Sequence, residues 1–157
     1  MKPVCLIDQD RKRWILWGVA LFLLCVHGVL ALHLARSKAP TADEYSYIAS
    51  GCLYVQTGDF RLDRTHPPLL RLLMGLPLVC LDLQFPPLQE EKWGTQESYF
   101  LSYPIGWTLL LGGENDWERV LFWARLPIVL LSVLLGLILF LRSEERRVGN
   151  ECRSRWS

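Results

Sequence analysis

The sequence predicts an all-α integral membrane protein, and three observations carry that expectation. Hydrophobic residues make up 51% of the chain. They are gathered into blocks, and two of these, 14–34 and 121–141, are long enough to cross a hydrocarbon core at about 1.5 Å of helix per residue. Charged residues are almost absent from both blocks, while the net charge of +1 gives no reason to expect a nucleic-acid partner.

In the first block, Trp14 to Leu34, the only titratable side chains are Cys25, His27 and His33. Both histidines stay neutral there at little cost, and packing against neighbouring helices is their expected role. Arg11-Lys12-Arg13 precedes the block, and a basic flank before a long apolar run reads as a signal-anchor with a cytoplasmic N-terminus. A cleaved signal peptide fits less well, because the run is long and His33-Leu34-Ala35 is a poor cleavage site. The second block has Arg125 and Pro127 near its start, where an interface and a first helical turn tolerate them. From Ile128 to Leu141 it is apolar on all sides apart from Ser132. Such a helix belongs in lipid or in a core larger than this chain can build.

Residues 35–120 then form an extracytoplasmic loop. Their seven basic and eleven acidic residues contrast with four basic and two acidic in the first thirteen. Arg36 and Lys38, close to the span, blur that asymmetry. Thr41 followed by Glu44 is a capping box, so a helix is expected near 42–57. Tyr45, Ile48, Ala49, Cys52, Leu53 and Gln56 recur at helical spacing, and Gly58 is a natural stop. The expected helix is amphipathic, suited to the membrane surface or to other helices. His66-Pro67-Pro68-Leu69 opens a second helix near 67–83, with Arg71 and Asp82 inside it and a kink at Pro77. It is short for a span and reads as interfacial or re-entrant; a third transmembrane span, which would reverse the later one, stays open. Residues 84–115 read as a polar loop whose scattered Trp and Tyr suit a membrane–water interface.

Five cysteines, at 5, 25, 52, 80 and 152, show no metal-binding spacing. Cys52 and Cys80 share the outer compartment, so a bridge between them is open, although small apolar fillers are the preferred reading.

Composition shifts abruptly at Arg142, where RSEERRVGNECRSRWS begins. The segment resembles the conceptual translation of a short-read sequencing adapter, in which AGA-TCG-GAA-GAG encodes Arg142-Ser143-Glu144-Glu145. Asn150 is the one departure, where the adapter gives Lys. Residues 142–157 are therefore expected to be non-native, with the natural chain continuing past Leu141. Setting aside their five arginines and three glutamates leaves the remainder close to neutral.

Asp43-Glu44, the short helix, Thr57-Gly58-Asp59-Phe60-Arg61-Leu62 and His66-Pro67-Pro68-Leu69 follow one N-terminal span in that order. Together they resemble the first extracytoplasmic loop of the family 39 glycosyltransferases, relatives of protein O-mannosyltransferases and lipid A aminoarabinose transferases in the C-type superfamily. Trp123-Ala124-Arg125-Leu126-Pro127 resembles the segment after that loop, and the likeness covers about 14–141. It implies a polytopic helical enzyme of the bacterial cytoplasmic membrane with more spans than these two. The active site would lie at the outer face and the donor would be a sugar on a polyprenyl phosphate. This chain would then be an N-terminal fragment, inactive alone.

Such a transfer needs a base for the acceptor hydroxyl. Its phosphate leaving group needs no general acid, only positive charge or donors around it. Asp43 is the candidate base, since N–H groups of a first helical turn favour its ionised form; the bland alternative is a helix-start acid. Glu44 is a second catalytic candidate, already used by the capping box. Arg61, Arg64 and His66 are candidates for contact with the donor phosphate. Their bland alternative is a solvated turn in which Asp59 and Asp63 pair the arginines. One His near one Asp-Glu pair is a thin metal site, so no metal ligand or cofactor is assigned and a divalent ion is left open. Membrane lipid and the lipid-linked donor are the partners implied. A small noncatalytic two-span anchor or assembly subunit is the competing class, and source DNA reading on past Leu141 into further spans would decide against it.

Overall fold

The computed structural model describes residues 4–95 and 98–154, with side chains described for all of these except 4–10, 99 and 148–154. The side chains of Cys5 and Cys152, and all of residues 1–3 and 155–157, lie outside the described residues. Among the described residues all regular structure is helical. Five α-helices run α1 (Val4–Ser37), α2 (Ala42–Thr57), α3 (Leu69–Gly75), α4 (Ser98–Leu111) and α5 (Trp117–Ser154). The chain divides into two compact units, Met1–Ala31 with Leu130–Ser157, and Leu32–Val129.

The first unit holds most of α1 and α5. Two stretches, Arg11–Ser37 and Trp117–Arg147, are long and apolar enough to cross a membrane. Only 0% and 6% of their most apolar windows is buried, so those windows are not packed inside the protein, although Val120, Leu121 and Ala124 at the start of α5 join the core of the second unit. Within this unit Trp17 meets Phe140 edge-on at 5.0 Å between ring centroids. A Cβ added at Gly28 would make an ordinary contact with Val133, and one at Gly136 would press on the end of the Leu24 side chain, so the two helices pack closely at these glycines. His27 Nε2 lies 3.0 Å from Ser132 Oγ, a polar pair inside apolar sequence. Both helices overrun the apolar blocks at their polar ends. In α5 the added turns carry Arg142–Glu145 and Arg147–Glu144 pairs at i,i+3 spacing, contacts that any charged helix-forming sequence makes.

The second unit is built around α2, which packs against both α3 and α4. The capping box forms at its start, and Gly58, at φ 70°, closes it with its N–H donating to the Tyr54 carbonyl. The apolar positions Ile48, Ala49, Cys52 and Leu53 are buried, but so are Ser46, Ser50, Gly51 and Tyr54. Of the two settings its apolar stripe suits, α2 takes the one on other helices, and it is enclosed along its middle rather than on one face alone. Glycine makes that enclosure possible. A Cβ on Gly51 would fall on the Arg71 carbonyl, one on Gly75 on the Gly51 backbone, and one on Gly106 on the Tyr45 carbonyl.

The second helix is shorter than 67–83. After α3 the chain tightens into a 3₁₀ turn, Leu76–Cys80, because Pro77 brings no N–H for an α-type bond. Leu69–Cys80 together is shorter than a membrane span. The region expected as polar loop holds a further helix, α4, which packs on α2 through Ile105, Gly106 and Leu109. Asn115 ties the loop back, receiving the Gln84 N–H at 2.9 Å and donating to the Gln84 and Leu109 carbonyls. Asp116 then accepts the Arg119 N–H and opens α5. Cys52 is a buried free thiol and Cys80 an exposed one, so the bridge that the sequence left open is not formed.

Candidate functional site

The start of α2 is held by one arginine. Thr41 donates from its N–H, at 2.8 Å, and from its hydroxyl, at 3.2 Å, to Glu44 Oε2. Arg125 on α5 forks onto the same carboxylate, with Nε 2.6 Å from Oε1 and Nη2 2.7 Å from Oε2. Its remaining donors reach the carbonyls of Ala35, Lys38 and Ala39 at 2.8–3.1 Å. One guanidinium thereby ties the end of α1, the linker and the α2 start together. Burial pushes the Glu44 carboxyl up, but the hydrogen bonds from Arg125 and Thr41 outweigh it and hold the group below the usual range. A carboxylate engaged in this way is a poor proton acceptor.

Asp43, one residue earlier, is exposed and makes no hydrogen bond or ion pair with another described residue. Tyr47 lies one turn further on the same side of α2. Its ring meets His66 at 6.0 Å between centroids, and the Arg71 guanidinium sits 5.0 Å over it. The structure thus brings His66, through Tyr47, to the helix side that carries Asp43. Arg64 and His66 are both exposed. Arg61 is also exposed but engaged, donating from Nε and Nη2 to Asp59 at 2.6–3.0 Å, and that contact holds the Asp59 carboxyl low.

Asp63 does not pair an arginine of the turn. It is buried, and its partner is Arg71 on α3, also buried, with Nη2 2.7 Å from Asp63 Oδ2. Ser46 on α2 donates to Oδ2 at 2.9 Å, and Ser102 on α4 lies 3.4 Å away. Thr65 donates to Oδ1 from its N–H at 3.0 Å and its hydroxyl at 2.6 Å. Tyr54 and Arg71 both donate to the Asp63 carbonyl, and the Asp63 N–H returns to the Tyr54 oxygen at 3.2 Å. Burial pushes the Asp63 carboxyl up, and the bonds from Thr65 and Ser46 with the Arg71 charge more than offset it, so the group stays ionised. Sequence reasoning passed over this network. Its signal is faint but present: Ser46, Ser50 and Tyr54 recur every fourth position of α2, and Arg71 is a lone charge in a leucine-rich helix.

Among the described residues no three His, Cys, Asp or Glu side chains converge as metal ligands. A pocket of about 330 Å³ is lined by Cys80–Leu83, Glu114–Asp116, Arg119 and Val120, and none of the candidate residues faces it.

The fold defines an all-helical protein carrying two helices fit to cross a membrane. No family model, no curated protein and no solved structure matches the chain.

Proposed function

We propose that this chain is the N-terminal part of a bacterial membrane glycosyltransferase that draws its sugar from a polyprenyl phosphate. The supporting observation is the unlike treatment of two adjacent carboxylates. Glu44 is saturated by Arg125 and Thr41, while Asp43 stands exposed and unengaged beside it. The acceptor hydroxyl oxygen attacks the anomeric carbon, the bond from that carbon to the phosphate oxygen breaks, and the hydroxyl proton passes to Asp43. The donor leaves as polyprenyl phosphate, its charge met by His66 and Arg64, with Arg61 contributing after release from Asp59. The site works at the outer face of the cytoplasmic membrane, the N-terminus is cytoplasmic, and 142–157 is adapter-derived sequence in place of the next segment.

The test uses the complete protein. Asp43→Asn keeps shape and hydrogen bonding at the helix start but removes the base. Turnover should fall by at least ~10²-fold with donor binding retained. His66→Ala should weaken donor binding first. Glu44→Gln should do less than either, since Gln still serves a capping box. Near-normal turnover in a well-expressed Asp43→Asn enzyme would end the assignment.

A further inference from the structure

We infer that the buried Asp63–Arg71 pair is a positioning device for His66; its use in donor binding rests on the reading above, but the positioning itself does not. Two chains of contact run from the pair to the same imidazole. One goes along the backbone: Asp63 Oδ1 captures the N–H and hydroxyl of Thr65, the residue before His66. The other goes through space: the Arg71 guanidinium lies over the Tyr47 ring, which meets the His66 ring in an edge-on contact. Asp63 is also fixed at its carbonyl and N–H by Tyr54 and Arg71. The segment 63–66 is short and exposed from Arg64 onward, with no regular structure of its own. Left alone it would sample many conformations. Anchored at both ends of this path, its exposed imidazole keeps one place beside α2.

A need for stability alone accounts poorly for the arrangement. A buried ion pair is seldom better for stability than apolar residues of similar volume, because desolvation offsets the attraction. Arg71 even leaves its Nε without a partner among the described residues. What the pair supplies and an apolar replacement lacks is direction. It directs five hydrogen bonds at residues 63 and 65, three from Arg71 and two onto Asp63 Oδ1.

This separates positioning from stability. In the doubly substituted Asp63→Leu/Arg71→Met chain the ion pair gives way to apolar volume, so the helices should stay packed. The readout is ¹³C-histidine NMR of the chain in detergent micelles, with His66 assigned from His66→Gln. His27 and His33 are internal references in the same spectrum. The His66 resonance should move to the position of a free histidine, while the other two and the thermal melt stay where they were. A second variant, Thr65→Val, removes the part-buried hydroxyl that donates to Asp63 Oδ1 and accepts from Arg71, keeps the N–H bond and, as a near-isosteric change in an irregular segment, should leave the fold in place. It should move His66 the same way by less. If the double variant unfolds, Thr65→Val decides. An unmoved His66 in a folded double variant, or in Thr65→Val when the double variant unfolds, overturns the inference. In the complete protein the double variant should raise the donor KM by up to ~10²-fold, the scale of a lost alignment, with kcat changed less. A moved resonance with an unchanged KM would leave the positioning intact and remove His66 from donor binding.

Discussion

Glu44 and Asp63 are carboxylates of the same unit, and the pKa of each is held below its ordinary value by neighbours that more than offset burial. The sign of their effect on stability follows. A depressed carboxyl contributes fully above its unfolded value and the contribution is lost as pH falls through its folded one. The ordinary values are 4.5 and 3.8. Melting temperature should therefore be flat above about pH 5 and drop steadily below it, with Glu44→Gln removing the upper part of the drop. A melt unchanged down to pH 3 would mean the two groups are not engaged as described. Glu44→Gln should itself cost about 1–3 kcal/mol, the scale of hydrogen bonds to a charged partner. Thermal unfolding at neutral pH measures it. Cys52 belongs at this scale too: burial pushes its thiol up to about 11. Maleimide at pH 7.5 should modify exposed Cys80 and spare Cys52 until the unit is unfolded.

Elements differ in how openly they announce themselves. The start and stop of α2 lie in the sequence as Thr41, Glu44 and Gly58, because caps are chemistry local to a few residues. Its surroundings do not, since the buried serines and Tyr54 become intelligible only once Asp63 and Arg71 are seen facing them. α4 was illegible for a different reason. Its aromatics and leucines run round the helix without a stripe, Pro104 sits inside it, and Gly106 reads as a breaker. Gly106 is a contact instead, one of the glycines that let backbones meet at α2. The sharpest consequence concerns Gly75. Its Cβ would land on backbone at Gly51, which no rotamer change can relieve. Gly75→Ala should cost at least ~1–3 kcal/mol by overpacking, read as a lower thermal midpoint, whereas Ala at exposed Gly18, with open space around it, should cost nothing measurable. Equal melts for the two variants would contradict the close approach.

For the whole molecule, the sequence places apolar blocks and their basic flank, and direction across the membrane follows from charge rather than from helix geometry. Arg11-Lys12-Arg13 directly before the first apolar block predicts a cytoplasmic N-terminus and an extracytoplasmic segment over 35–120. A native residue serves as the probe. Cys80 is exposed at the end of the 3₁₀ turn, and Cys52 is shielded in the core. With Cys5, Cys25 and Cys152 changed to serine, a membrane-impermeant maleimide added to intact spheroplasts should label the chain at Cys80. Cys80→Ser should abolish the signal, which guards against slow reaction at Cys52. The same reagent should leave a single cysteine introduced at Arg11, on a Cys80→Ser background, untouched until the membrane is opened, because with a cytoplasmic N-terminus that residue lies at the inner end of the first span. The paired sites matter, because a chain lying wholly on the surface would label at both and an inverted chain only at residue 11. Either pattern would overturn the topology, and with it an outward-facing site at Asp43 and His66.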